Sequence, residues 1–102
     1  MRAILIETDK QTVREVEFGG KLEDAYKLLD VSLIEGVYIQ GHVIYVDEEG
    51  LLTPKTIQKG WFKWETYRQP LAGRGLIVGN GIDDWESATM TIKDAIKGVT
   101  WC

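Results

Sequence analysis

Leu33-Ile34-Glu35-Gly36-Val37-Tyr38-Ile39, then Gln40-Gly41, then His42-Val43-Ile44-Tyr45-Val46, is the stretch that decides the fold. Two runs rich in β-branched and aromatic residues flank a two-residue connection that contains glycine. Such runs suit a pleated, half-buried surface, and so short a connection needs a residue at ease with positive φ. The stretch therefore predicts a β-hairpin in the middle of the chain, ended by a turn at Asp47-Glu48-Glu49-Gly50.

Working outward from that hairpin, the same reading gives a second one at the start. Ala3-Ile4-Leu5-Ile6 precedes a polar turn at Glu7 to Gln11, and Thr12 to Phe18 places Val13, Val16 and Phe18 among polar residues. Gly19-Gly20 interrupts the pattern. Leu22, Ala25, Tyr26, Leu28 and Leu29 then recur at helical spacing, with Glu23 and Asp24 in the first turn, where negative charge favours the helix dipole. Beyond the central hairpin, Gly75-Leu76-Ile77-Val78-Gly79 suits a short buried strand, followed by an Asn80-Gly81 turn. Thr91-Ile92-Lys93-Asp94 has the form of a capping box opening a helix through Lys97, with Gly98 as a left-handed stop and Val99 to Trp101 packing back. Leu51 to Gln69, bearing Pro54 and the aromatic cluster Trp61 to Tyr67, reads equally as loop, strand or short helix. The strands come in hairpins rather than alternating singly with helices. The expected fold class is thus α+β, a mostly antiparallel sheet built from hairpins with two helices, in one domain spanning residues 1–102.

Composition narrows the class of function. With 102 residues, 44% hydrophobic and 27% charged, the chain has the make-up of a globular domain rather than a disordered one. No apolar run approaches the ~20 residues of a spanning helix, and the N-terminus lacks the apolar core of a signal peptide. A cytoplasmic protein, without membrane contact, is expected. Cys102 is the single cysteine, so no intrachain disulfide or cysteine cage can form. The net charge of -4 conceals a local reversal: residues 54 to 75 carry Lys55, Lys59, Lys63, Arg68 and Arg74 against Glu65 alone.

Catalysis by a side-chain nucleophile, a metal cluster or a tuned carboxylate pair requires constellations that are hard to find here. His42 is the only histidine and reads as a residue of the hairpin turn. Asp47, Glu48 and Glu49 lack the alternating acids and terminal Glu of a calcium loop, and read as a solvated turn. Asp83, Asp84 and Glu86, flanking Trp85, could meet a cation or a basic partner, although acids in such a loop are usually just hydrated. The glycines from Gly73 to Gly81 bracket a strand instead of opening a helix, so they do not make a phosphate-binding loop. No enzyme activity, metal or cofactor is expected.

The segment from Lys59 to Arg74 is the strongest candidate for binding. Trp61, Trp64 and Tyr67 interleave with Lys59, Lys63, Arg68 and Arg74, combining stacking faces with attraction for phosphate or for an acidic surface. Core filling competes for the same aromatics. Two of these aromatics are expected to be buried; on a strand, Trp61 shares a face with Lys63, and Phe62 with Trp64.

Asp47-Glu48-Glu49-Gly50-Leu51-Leu52 and Pro70-Leu71-Ala72-Gly73-Arg74-Gly75-Leu76-Ile77-Val78-Gly79 together give residues 1 to 80 a resemblance to a family of small uncharacterised domains found in phages, plasmids and bacteria. Members resemble one another in an N-terminal hairpin, a helix, a strand pair closing on the acidic turn, and a later glycine-bounded apolar strand. The chain departs from that pattern after the acidic turn, where Pro54-Lys55-Thr56-Ile57 and the Trp-rich segment stand in place of the Asn-Arg-Arg or Asn-Arg pair of many members. The resemblance carries no activity of its own. It implies a mobile-element setting, in which small acidic proteins without catalytic residues often act as inhibitors or modifiers of larger host proteins.

The leading expectation is a non-enzymatic protein-binding module, an anti-CRISPR-like or other counter-defence inhibitor of a bacterial defence or nucleic-acid-processing protein. Acidic surfaces from Glu7 to Glu49 and around Asp83 to Glu86 would occupy a basic groove of the bacterial host protein. The alternative is a binder of nucleotides or single-stranded nucleic acid through the aromatic and basic segment. The sequence leaves the oligomeric state open.

Overall fold

In β1 (Arg2–Glu7) every residue after Arg2 is buried, which an apolar run achieves only in the middle of a sheet with both faces covered. The computed structural model describes residues 1–81 and 84–102 of the chain. In chain order the further elements are β2 (Thr12–Glu17), α1 (Leu22–Leu29), β3 (Ile34–Ile39), β4 (His42–Asp47), α2 (Pro54–Lys59), β5 (Trp61–Trp64), β6 (Leu71–Ala72), β7 (Gly75–Gly79), α3 (Ile92–Gly98) and β8 (Val99–Trp101). They build two antiparallel sheets, one of order β2-β1-β7-β4-β3 and a smaller one of order β6-β5-β8.

The central hairpin forms as its sequence requires, with Ile39 opposite His42 across Gln40-Gly41 and Gly41 at φ 73°. The strand β7 enters between β1 and β4, so the two hairpins become the wings of one sheet. This accounts for its unbroken Gly-Leu-Ile-Val-Gly run, which is buried throughout.

Alternation along the strands divides the core in two. On one face Ile4, Ile6, Val37, Ile39, Ile44, Val46 and Ile77 meet Phe62, Trp64 and Leu71 of the small sheet and Ala95 of α3. On the other, Ala3, Leu5, Val43, Leu76 and Val78 meet Ala25 and Leu29 of α1 together with Phe18. The α+β fold, mostly antiparallel, therefore has three layers with the large sheet in the middle.

The stretch that read ambiguously contains a third helix. Pro54 sits in the first turn of α2, where its missing N–H costs nothing, and Gly60 ends the helix. The expected left-handed stop at Gly98 does not occur: the residue closes α3 and the chain continues into extended Val99 at φ -97°. Glycine serves packing there instead, because a Cβ would meet Trp64 ring atoms at 2.3–2.7 Å. Thr91 does cap α3, its Oγ1 accepting the Asp94 N–H at 3.1 Å.

Candidate protein interface

The segment from Lys59 to Arg74 does not converge on one surface. On β5, Phe62 and Trp64 point inward, while Trp61 is half-buried and Lys63 exposed on the outer face. Trp64 is only 3% exposed, so it offers no ring face for stacking. Its Nε1 is a buried donor with no acceptor among the described residues. Tyr67 packs against the core, and Arg68 stands in solvent on the loop between β5 and β6.

Two of the basic residues are committed inside the fold. Arg74 grips Asp9 with Nε and Nη2, at 3.1 and 2.9 Å, and its Nη1 donates to the Leu28 carbonyl at 3.1 Å. That grip holds the Asp9 carboxyl below its ordinary range and the Arg74 guanidinium above its own. Lys59 donates to Asp30 Oδ2 at 2.9 Å while Lys55 lies 2.6 Å from Oδ1. Asp30 is the left-handed residue that ends α1, at φ 59°. Hydrogen bonds from Lys55 and then Lys59 pull its carboxyl down to about 2. These bonds tie α1 to α2 and to the turn before β7, a purely architectural use of charge.

Several acids expected on the binding surface are likewise used internally. Glu7, 3% exposed, receives Arg14 Nε at 2.5 Å and the Thr12 hydroxyl at 3.1 Å, and the Arg14 hydrogen bond lowers its pKa. Asp84 turns its Oδ1 to its neighbour's backbone, accepting the Trp85 N–H at 2.8 Å, and Glu86 is exposed beside its backbone bridge to Gly79. Asp83 lies outside the described residues.

His42 is also accounted for structurally. Its Nδ1 lies 3.2 Å from the Gln40 carbonyl, and its Nε2 receives the backbone N–H groups of Thr89 and Met90, each at 3.1 Å. An imidazole that accepts at Nε2 must carry its proton on Nδ1, so the ring is a neutral clasp between the central hairpin and the approach to α3.

The turn after β4, which the sequence presents as a solvated turn, is anchored at its start by a buried acid. Asp47, buried at the strand end, accepts the Glu49 N–H through Oδ1 at 2.9 Å and the Thr56 hydroxyl through Oδ2 at 2.5 Å. Backbone bonds from Gly50 to Asp47 and from Leu52 and Thr53 to Glu49 complete a tightly braced loop. Leu51 and Leu52 project from it at 74% and 79% exposure, beside the exposed acids Glu48 and Glu49. The available signal was an acid positioned to bond the backbone two residues on, followed by leucines just ahead of a Thr-Pro helix start, where neither sheet nor helix claims them.

A large antiparallel sheet with α1 on one face and a small sheet on the other defines a small domain of the α+β class. The chain belongs to DUF3846, a family of domains of unknown function, whose family model matches residues 1–99. The match extends past residue 80 to take in α3. Comparison with curated proteins gave no match, and comparison with solved structures gave none.

Proposed function

We propose that this chain is a non-enzymatic protein-binding module whose contact point is the Leu51-Leu52 loop. The observation that carries this reading is the exposure of two adjacent leucines on a loop that Asp47 hydrogen-bonds at its start and to α2. Two side chains left in water at the tip of a loose loop would be unremarked. On a braced loop, little further conformational entropy is lost when they enter a recess on a partner, so burial of their apolar surface goes to affinity. Glu48 and Glu49 beside them favour a partner whose recess has a basic rim.

In its specific form, the module acts in the bacterial cytoplasm as a counter-defence inhibitor of a host defence or nucleic-acid-processing protein. The family resemblance supports that setting, and the acidic rim of the loop suits a partner with a basic groove. The absence of enzymatic activity is supported by the structural engagement of Glu7, His42 and Asp47, the buried acids and histidine among the described residues.

The test is capture of partners from nuclease-treated bacterial lysate by the wild type and by Leu51→Ser plus Leu52→Ser. A protein retained by the wild type and lost with the double variant is the expected result. Retention unaffected by the substitutions overturns the reading.

One observation favours a second reading, nucleic-acid binding by a smaller set of residues than the sequence suggested. Trp61 and Lys63 share the outer face of β5, and Arg68 is exposed. Binding of single-stranded nucleic acid that weakens steeply with salt and vanishes in Trp61→Ala plus Lys63→Ala is what this reading requires.

A further inference from the structure

Beside the large sheet, on the face that carries α1, lies a recess of about 260 Å³ whose lining is aromatic and acidic. It exists because α1 has only eight residues, roughly 12 Å of helix, and packs over β7, leaving the β3 and β4 side of a five-stranded sheet incompletely covered. Its floor is the cross-strand pair Val43 and Val78. Tyr38 stands opposite Val43 on β3, Tyr45 lies two residues along β4, and Trp85 arrives from the loop after β7.

Trp85 is fixed in place. Its ring meets Phe18 edge to face at a centroid distance of 5.0 Å, and lies 5.1 Å from Tyr45 at an interplanar angle of 59°. Tyr38, by contrast, is 74% exposed at the rim. Asp84 supplies a carboxylate to the lining, and among the described residues no basic side chain lines the recess and no salt bridge engages Asp84.

We infer that this recess binds the head group of an organic cation, an alkylated ammonium or a guanidinium. Electron-rich rings attract a cation through their quadrupole, most strongly where water is displaced, and a carboxylate at the edge adds a full opposite charge. An anion would meet Asp84 and no compensating base. Burial, with Tyr38 nearby adding to it, holds the Tyr45 phenol above its ordinary pKa, so that ring stays uncharged at neutral pH. The recess is separate from the Leu51-Leu52 loop, which follows the opposite end of β4, so either reading can fail without the other.

The test is NMR titration of the ¹⁵N-labelled chain, with the Trp85 indole resonance assigned through Trp85→Phe. Tetramethylammonium represents a free cation, Nα-acetyl-arginine amide and Nα-acetyl-lysine amide represent a side chain of a protein, and tert-butanol is the neutral control. Saturable shifts of Trp85 and Tyr45 with at least one cation, and none with tert-butanol, are expected; the tighter cation identifies the source. Tyr38→Ala and Asp84→Asn, both at exposed positions that leave the core intact, should each weaken binding about fivefold, the scale of one partly exposed cation contact. Absence of a saturable shift with every cation, equal response to tert-butanol, or unchanged affinity in both variants would overturn the proposal.

Discussion

Asp47 and Thr56 are joined by a buried hydrogen bond, carboxylate Oδ2 to hydroxyl at 2.5 Å, that ties the end of β4 to the middle of α2. The same carboxylate receives the Glu49 N–H, so a single side chain shapes the loop and fixes it to the helix behind it. Asp47→Ala leaves the buried Thr56 hydroxyl and the partly buried Glu49 N–H without their acceptor. A loss of about 2–4 kcal/mol is expected, read from urea unfolding at neutral pH, since bonds to charged groups contribute about 1.5–3 kcal/mol each. Thr56→Val, which keeps the shape and removes one bond, should cost less than Asp47→Ala.

Leu51→Ser plus Leu52→Ser should leave stability within about 0.5 kcal/mol of the wild type, because neither side chain contributes to the core. Thermal unfolding checks this directly. A large loss of stability would mean that the leucines pack in the fold, and would remove the basis for an interface there.

The pH dependence follows from three carboxylates whose folded values are depressed: Asp30, drawn down to about 2 by Lys55 and Lys59, Asp9 by Arg74, and Glu7 by Arg14. Each binds its proton more weakly folded than unfolded. The stability it contributes is complete above the unfolded values, roughly pH 4, and is lost as pH falls through the folded ones. Unfolding free energy should therefore decline from about pH 4.5 toward pH 2. In Lys55→Ala plus Lys59→Ala the decline should be shallower, because the Asp30 part of it is gone. A slope unchanged in that variant would show that the pairs do not hold Asp30 down.

Gly98→Ala should destabilise the chain by about 1–3 kcal/mol, the usual cost of forcing atoms into a filled core, since the added methyl meets the Trp64 ring. Were Gly98 a conformational stop, alanine would act through backbone strain and Trp64 would be indifferent. Trp64→Leu should relieve the defect of Gly98→Ala in a double-mutant cycle.

How far the sequence was legible depends on the range of the interactions. The hairpin from Ile34 to Asp47 is written in local alternation and a glycine turn, and Thr91 announces α3 by its cap. The parity of β5 foretold that Phe62 would side with Trp64, and burial of that pair removed Trp64 from the candidate site. Between Leu51 and Gln69, α2 has six residues and β5 four, too few for either period to stand out. Nothing local could show that Arg74 belongs to Asp9, 65 residues away, or Lys59 to Asp30, 29 residues away. Leu51 and Leu52 were passed over for the opposite reason, since leucine is ordinarily assigned to the core and these two stand in solvent.

Photo-crosslinking from two positions in bacterial cells tests the central claim most directly. A photoreactive phenylalanine analogue is placed at Leu52 in one version of the chain and at Trp61 in another, each expressed at equal level. The protein-binding account predicts a discrete protein adduct from position 52, abolished when Asp47→Ala unbraces the loop, with none from position 61. No adduct at position 52 together with nucleic-acid adducts at position 61 would contradict it.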